Sequence, residues 1–106
     1  MAWLYLIFAG LFEIGWPLGF KLANWLPKYH WLFIVLAVIS MGVSGLLLFI
    51  AQKSIPIGTA YAVWTGIGAT GTLLIGIVFF HDSASIARLL SASLIIIGIV
   101  GLKLAS

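Results

Sequence analysis

Glu13 is an acidic residue inside a run of apolar residues, in the segment AGLFEIGWPLGFK (residues 9–21). A charge at the centre of a bilayer costs about 2.5–3.5 kcal/mol on insertion scales, and residues that bear it are usually functional. Ten Leu, Ile and Phe side chains of the whole apolar run, residues 2–22, contribute about −0.3 to −0.6 kcal/mol each, so the run still inserts. We therefore interpret Glu13 as a binding site for a proton and a cation, with a protonated structural acid as the alternative.

Aromatic side chains at helical spacing could complete such a site. Trp16 follows Glu13 by about one helical turn, and Tyr61 and Trp64 are three residues apart in a later apolar run. A cation over an aromatic face gains about 0.5–2 kcal/mol. The pattern predicts a cation box built from one carboxylate and aromatic rings on two helices, although each ring could instead be ordinary core packing.

Small residues and a proline accompany these positions. Gly10 leaves space beside Glu13, and Gly68 shares a helix face with Trp64, where it permits close approach of another helix. Pro17 has no backbone N–H, so the carbonyl of Glu13 loses its helical partner. The proline is either a tolerated kink or the source of a free backbone acceptor beside the carboxylate.

The elements that must hold these residues are membrane helices. Hydrophobic residues make up 64% of the chain and charged residues 7%, with a mean hydropathy of +1.31, whereas soluble domains contain about 25% charged residues. About 20 apolar residues are needed to cross a bilayer. We predict an all-α integral membrane protein with one four-helix domain over residues 1–106 and spans at residues 2–22, 31–50, 57–80 and 85–102.

The few polar residues exclude several classes of function. The net charge of +3 is spread thinly rather than clustered as on a nucleic-acid-binding surface. The sequence has no cysteine, and His30 and His81 lack the spacing of metal ligands. It contains no nucleophile–base pair and no cofactor motif. We therefore expect neither an enzyme nor a protein that binds nucleic acid, a metal or a cofactor.

Positive charges are balanced between the two sides of the membrane. If the spans alternate in direction, Lys53 and Lys103 share one side with the N-terminus, and Lys21, Lys28 and Arg88 lie on the other. The positive-inside rule then gives almost no preference for one orientation. The chain could insert both ways, and two opposite copies could form an antiparallel dimer, as inverted repeats do within larger transporters.

With these residues assembled, the chain resembles the small multidrug resistance family of bacterial proton-coupled exporters. The resemblance covers essentially the whole chain and rests on AGLFEIGW (residues 9–16), GTAYAVWTGIGATGT (residues 58–72) and IIGIVGLKL (residues 96–104). Trp16 and the form GTAYAVWTG resemble the guanidinium-exporter subtype, because the polyaromatic-cation subtype more often has a small residue at position 16.

The resemblance implies a dual-topology, antiparallel homodimer in the bacterial inner membrane that exchanges guanidinium-type cations for protons. By motif match, Glu13 would bind protons and substrate in mutual exclusion, while Trp16, Tyr61 and Trp64 would line the pocket. Ser44 would hydrogen-bond the central acid, although from the residues alone it could equally bond back to a carbonyl of its own helix. Some relatives work instead as paired, different subunits.

Two stretches depart from the family pattern. Pro17 and Gly19 stand where relatives usually carry other aliphatic residues, which would change the pocket, and the loop HDSAS (residues 81–85) lacks the usual Glu and is taken as peripheral. Two other functions remain open. One is a broad multidrug exporter of quaternary ammonium and hydrophobic cations, and the other is a membrane assembly subunit that transports nothing.

Overall fold

The computed structural model describes residues 1–105 as four long helices in chain order. A short 3₁₀ turn, Pro27–Tyr29, joins the first two. Each long helix is long and apolar enough to cross a membrane, so the four predicted spans are confirmed as helices. Their bounds are α1 Ala2–Trp25, α2 His30–Ala51, α3 Ile57–Phe79 and α4 Ile86–Ala105.

Prolines mark the starts of two elements. Pro27 begins the 3₁₀ turn that follows α1, and Pro56 precedes α3 with an extended backbone (φ −53°, ψ 141°). Proline fits these positions because the first residues of a helix have no intrahelical use for their N–H groups. Pro17 is different, since it lies inside α1.

Helix α1 lies between α2 and α3 and packs mainly against α2, whereas α4 packs mainly against α3. Lys103 of α4 also places its ammonium 4.9 Å from the ring centroid of Trp3 in α1. Small residues bring the backbones together. A Cβ on Gly19 would lie 2.8 Å from the Cβ of Ala37 in α2, and a Cβ on Gly10 would lie 2.6 Å from the Cβ of Ile67 in α3. Any larger side chain at either glycine would therefore push two helices apart.

Large apolar side chains cover the outside of the four helices. In α4 only Ala92 is buried, and Leu90, Leu94 and Ile97 are each more than 60% exposed. One connected cluster of buried apolar side chains lies toward one end of the helices and is formed by Leu6, Ala51, Ile55, Ala60 and Val63. Apolar side chains that are mostly exposed rather than buried require an apolar medium or further protein around the chain.

The chain reverses sharply after α3. The N–H groups of Phe80 and Asp82 both donate to the carbonyl of Gly76, at 3.0 and 3.1 Å. Between them His81 has a φ of 60°, the one positive value among the non-glycine residues that the structure describes. A left-handed conformation costs an L-residue about 1–2 kcal/mol, and glycine avoids that cost.

We therefore expect His81→Gly to stabilise the protein by up to about 1 kcal/mol, since the greater freedom of glycine in the unfolded chain offsets part of the relieved strain. Unfolding in SDS titrations measures the change. Ser83→Gly is the matched control, because Ser83 lies in the same loop without a positive φ, and it should gain nothing. A destabilised His81→Gly variant would contradict the expectation.

Candidate cation-binding site

Helix α1 places Glu13 and Trp16 side by side. The indole Nε1 of Trp16 donates a hydrogen bond to Oε1 of Glu13, and both residues are half-buried. Trp16 also makes an edge-to-face contact with Phe20, with ring centroids 5.8 Å apart. The indole of Trp16, on the same helix, therefore sets the orientation of the Glu13 carboxylate.

Helix α3 meets this carboxylate at a glycine. Gly68 is buried, and a Cβ built on it would lie 2.7 Å from Cγ of Glu13. One residue further along α1, Ile14 occupies the space where Gly71 would carry a Cβ. The absence of side chains at these two glycines is what allows the Glu13 side chain to lie against the backbone of α3.

An open cleft of about 310 Å³ adjoins this contact between α1 and α3. Pro17 of α1 lines it, and so do Thr65, Ala69 and Thr72, which were not singled out from the sequence. They recur at i, i+4 and i+7 on the helix face of Gly68, and that spacing could have identified them. The cleft is lined by Glu13, Trp16, Pro17, Thr65, Gly68, Ala69 and Thr72.

Ser44 is fully buried at the junction of three helices. Its hydroxyl donates to the carbonyl of Ala9 in α1 at 2.7 Å, and it accepts a hydrogen bond from Nε1 of Trp64 in α3 at 2.8 Å. A serine hydroxyl has a single proton, so the predicted hydrogen bond from Ser44 to Glu13 is not formed here. The alternative of a bond within its own helix is wrong as well.

Ser40 makes a similar link one turn away. Its hydroxyl donates to the carbonyl of Phe12 in α1 at 2.6 Å, and it lies in the space that a side chain at Gly15 would fill. The two serines therefore connect α2 to successive turns of α1.

Tyr61 and Trp64 form a second aromatic group on α3. Their ring centroids are 5.5 Å apart with planes inclined at 56°, and Tyr61 is 56% exposed. Neither lines the cleft beside Glu13, and Gly10, which packs on Ile67, does not line it either. Within one chain the structure thus brings Glu13, Trp16, Pro17 and Gly68 together and keeps the Tyr61–Trp64 pair apart.

The chemistry available in the cleft is that of one carboxylate beside an indole. Such a pair can hold a proton or a compact cation. No group of three His, Cys, Asp or Glu side chains that could hold a metal ion occurs among residues 1–105.

The chain is similar to known proteins along its whole length. The sequence profile of the family described as "Small Multidrug Resistance protein" matches residues 1–95. The guanidinium exporter of Yersinia pseudotuberculosis serotype I (strain IP32953) is 52% identical over 106 residues, covering 100% of both chains. Those of Proteus vulgaris and Escherichia coli (strain K12) are each 47% identical, covering 100% of this chain and 100% and 99% of their own.

Removing the Ser44 hydroxyl should destabilise the protein, because it leaves the Ala9 carbonyl and the Trp64 indole without their partner. Hydrogen bonds between membrane helices contribute about 0.6 kcal/mol on average and up to about 1.7 kcal/mol, so we expect Ser44→Ala to cost about 1–2 kcal/mol in SDS unfolding. Ser91 donates only to the Ala87 carbonyl of its own helix, and Ser91→Ala is the control. Equal effects of the two variants would refute the assigned role of Ser44.

Proposed function

Because the chain belongs to the small multidrug resistance family, we propose that it is a proton-coupled antiporter that exports guanidinium and small substituted guanidinyl cations. The observation that supports guanidinium as the substrate is sequence identity: over its full length, the chain is 52% and 47% identical to two curated guanidinium exporters. The protein is a multi-pass membrane transporter of a bacterial family and not an enzyme. We place it in the inner membrane.

Glu13 would be the shared site for the proton and the substrate. Guanidinium is planar and presents N–H donors in a fork that matches the two oxygens of a carboxylate. Among the described residues, Trp16 is the hydrogen-bond donor to that carboxylate, and it acts on one oxygen. A protonated carboxyl group offers no charge to the cation, so occupation by one excludes the other. This exclusion lets the gradient of one ion drive the other.

Trp16 would act as a wall of the binding site that moves when substrate binds. A bidentate guanidinium needs both carboxylate oxygens, so the indole N–H would have to give up Oε1 or share it. The ring would then offer its face to the cation, an interaction worth more where water is excluded. Gly68 and Pro17 would shape the remaining walls of the cleft.

The exposed surfaces support a second copy of the chain. Helix α4 buries only Ala92, and Tyr61 is more than half exposed beside Trp64. We propose an antiparallel homodimer rather than a pair of different subunits, because the basic residues are balanced between the two sides. Tyr61, Trp64 and Ser44 would serve the pocket of that assembly, the first two as lining and Ser44 by holding Trp64 in place.

Glu13→Gln should abolish proton-coupled guanidinium transport, since the amide can neither release a proton nor pair with a cation. Proton flux on addition of guanidinium to proteoliposomes measures this, with Glu13→Asp as a matched control that keeps the carboxylate. If Glu13→Gln retained proton flux coupled to guanidinium, the proposal would be refuted.

The same assay separates the alternative substrates. Tetra-alkylammonium ions have no N–H donors, so they should give less flux than guanidinium or methylguanidinium. Comparable flux with all of them would favour the broad multidrug exporter, and no substrate-dependent flux would favour the assembly subunit.

Gly68→Ala should weaken substrate binding and transport because its Cβ would lie 2.7 Å from Cγ of Glu13 and so displace the carboxylate. We expect an increase in KM of about tenfold or more, the equivalent of about 1.4 kcal/mol. Gly42→Ala is the control, because no heavy atom lies within 4 Å of the Cβ it would carry. An unchanged KM in Gly68→Ala would show that the contact with Glu13 does not position the site.

A further inference from the structure

The cleft beside Glu13 has a neighbour nearer the end of α3. A second cleft of about 180 Å³ lies further along α1 and α3, and Pro17 and Thr72 line both. Its outer wall is formed by Lys21, Phe80 and Asp82. The two clefts are therefore neighbours along the contact between α1 and α3, and we call the pair the α1–α3 groove.

The chain contains two acidic residues, and both line the α1–α3 groove. Glu13 lies at its inner end and Asp82 at its outer end. Asp82 follows α3 in a loop that the sequence analysis predicts to be peripheral. The structure corrects that interpretation, because the turn at His81 folds the loop back onto the helix.

Asp82 is held against α3 by a backbone hydrogen bond to Gly76 and by the space that Gly76 leaves because it has no side chain. Its N–H donates to the carbonyl of Gly76 at 3.1 Å. Its carboxylate occupies the space where Gly76 would carry a Cβ, with Cγ 3.1 Å from that point. Although Asp82 is exposed, its carboxylate is therefore placed at the groove and not extended into the surroundings.

A cationic group already lies in this outer cleft. The ammonium of Lys21 is 5.7 Å from the ring centroid of Phe80, within the range of a cation–π contact. Phe80 also contacts Trp25 edge to face, with centroids 4.9 Å apart, which fixes the orientation of its ring. A carboxylate and an aromatic ring thus recur here, the same pair of groups as Glu13 and Trp16 at the inner end.

We propose that Asp82 and Phe80 form an outer subsite for the transported cation, and that Lys21 is the internal cation that competes for it. This inference rests on the proposed function for the identity of the cation, a compact ion with N–H donors. A cation bound at Asp82 would enter or leave the groove by displacing the Lys21 ammonium from the Phe80 ring. Passage to Glu13 would then follow the walls at Thr72 and Pro17.

The two charged residues of the subsite should have opposite effects on transport. Asp82→Asn removes the attraction and should raise KM for guanidinium about three- to tenfold, with a smaller change in kcat, because pairs between exposed charges are weak. Lys21→Gln removes the competitor and should lower KM. Asp82→Glu, which keeps the carboxylate, should restore most of the parent KM.

Lys28→Gln is the matched control for Lys21→Gln. Lys28 is an exposed lysine after the end of α1, with its ammonium 5.6 Å from the ring of Tyr29, and it does not line the groove. The Lys28→Gln variant tests whether the loss of any exposed positive charge is enough to change KM. An equal fall in KM for Lys28→Gln and Lys21→Gln would overturn the proposal, as would an unchanged KM in Asp82→Asn.

A binding measurement tests whether the outer subsite exists, and it does not depend on a transport assay. In Glu13→Gln, which lacks the inner carboxylate, millimolar guanidinium chloride should still shift the backbone amide NMR signals of residues 80–82. Sodium chloride at the same concentration should not, and Glu13→Gln combined with Asp82→Asn should lose the response. Absence of the shift in Glu13→Gln refutes the outer subsite. Absence of coupled flux in the parent protein, with the shift present, refutes the proposed function and leaves a cation-binding groove.

Discussion

The close contact between the Glu13 side chain and the backbone of α3 is the feature on which the rest of the structure depends. A carboxylate in an apolar span must be enclosed by protein or reached by water. Gly68 supplies the enclosure, because its missing Cβ leaves the space that Cβ and Cγ of Glu13 occupy. The same close approach leaves the open cleft beside it. This glycine thus determines how closely the Glu13 side chain approaches the backbone of α3.

The contact between α1 and α2 is held by hydrogen bonds. Apolar helices gain little from burying one another in lipid, so packing of small residues and interhelical hydrogen bonds decide their register. Ser40 and Ser44 donate to α1 carbonyls one turn apart, and Ser44 also accepts from Trp64. Any sliding of α1 along α2 would break both serine bonds together. The register that places Glu13 opposite Gly68 is therefore fixed from the α2 side.

Local geometry explains what the sequence could predict. A spacing of three residues in a helix brings side chains together whatever surrounds them, so the contact between Glu13 and Trp16 follows from the sequence, as do the four apolar helices. The partner of Ser44 does not, because its hydroxyl could reach its own helix, Glu13 or Ala9, and helix register chooses among them. The approach of Asp82 to Gly76 likewise depends on a left-handed residue, His81, which no sequence pattern indicates.

Pro17 connects these features, because it lies where the inner and outer clefts meet. Its ring nitrogen carries no proton, so the carbonyl of Glu13 has no helical donor and α1 lacks one rung of its ladder at that point. The serine bonds to α1 involve Ala9 and Phe12, both before the proline, so they restrain only the first half of the helix. Beyond the proline, the close packing of Gly19 on Ala37 holds the second half of α1 against α2. The missing rung thus falls between two separately held halves of α1, at Pro17, which lines both the inner and the outer cleft.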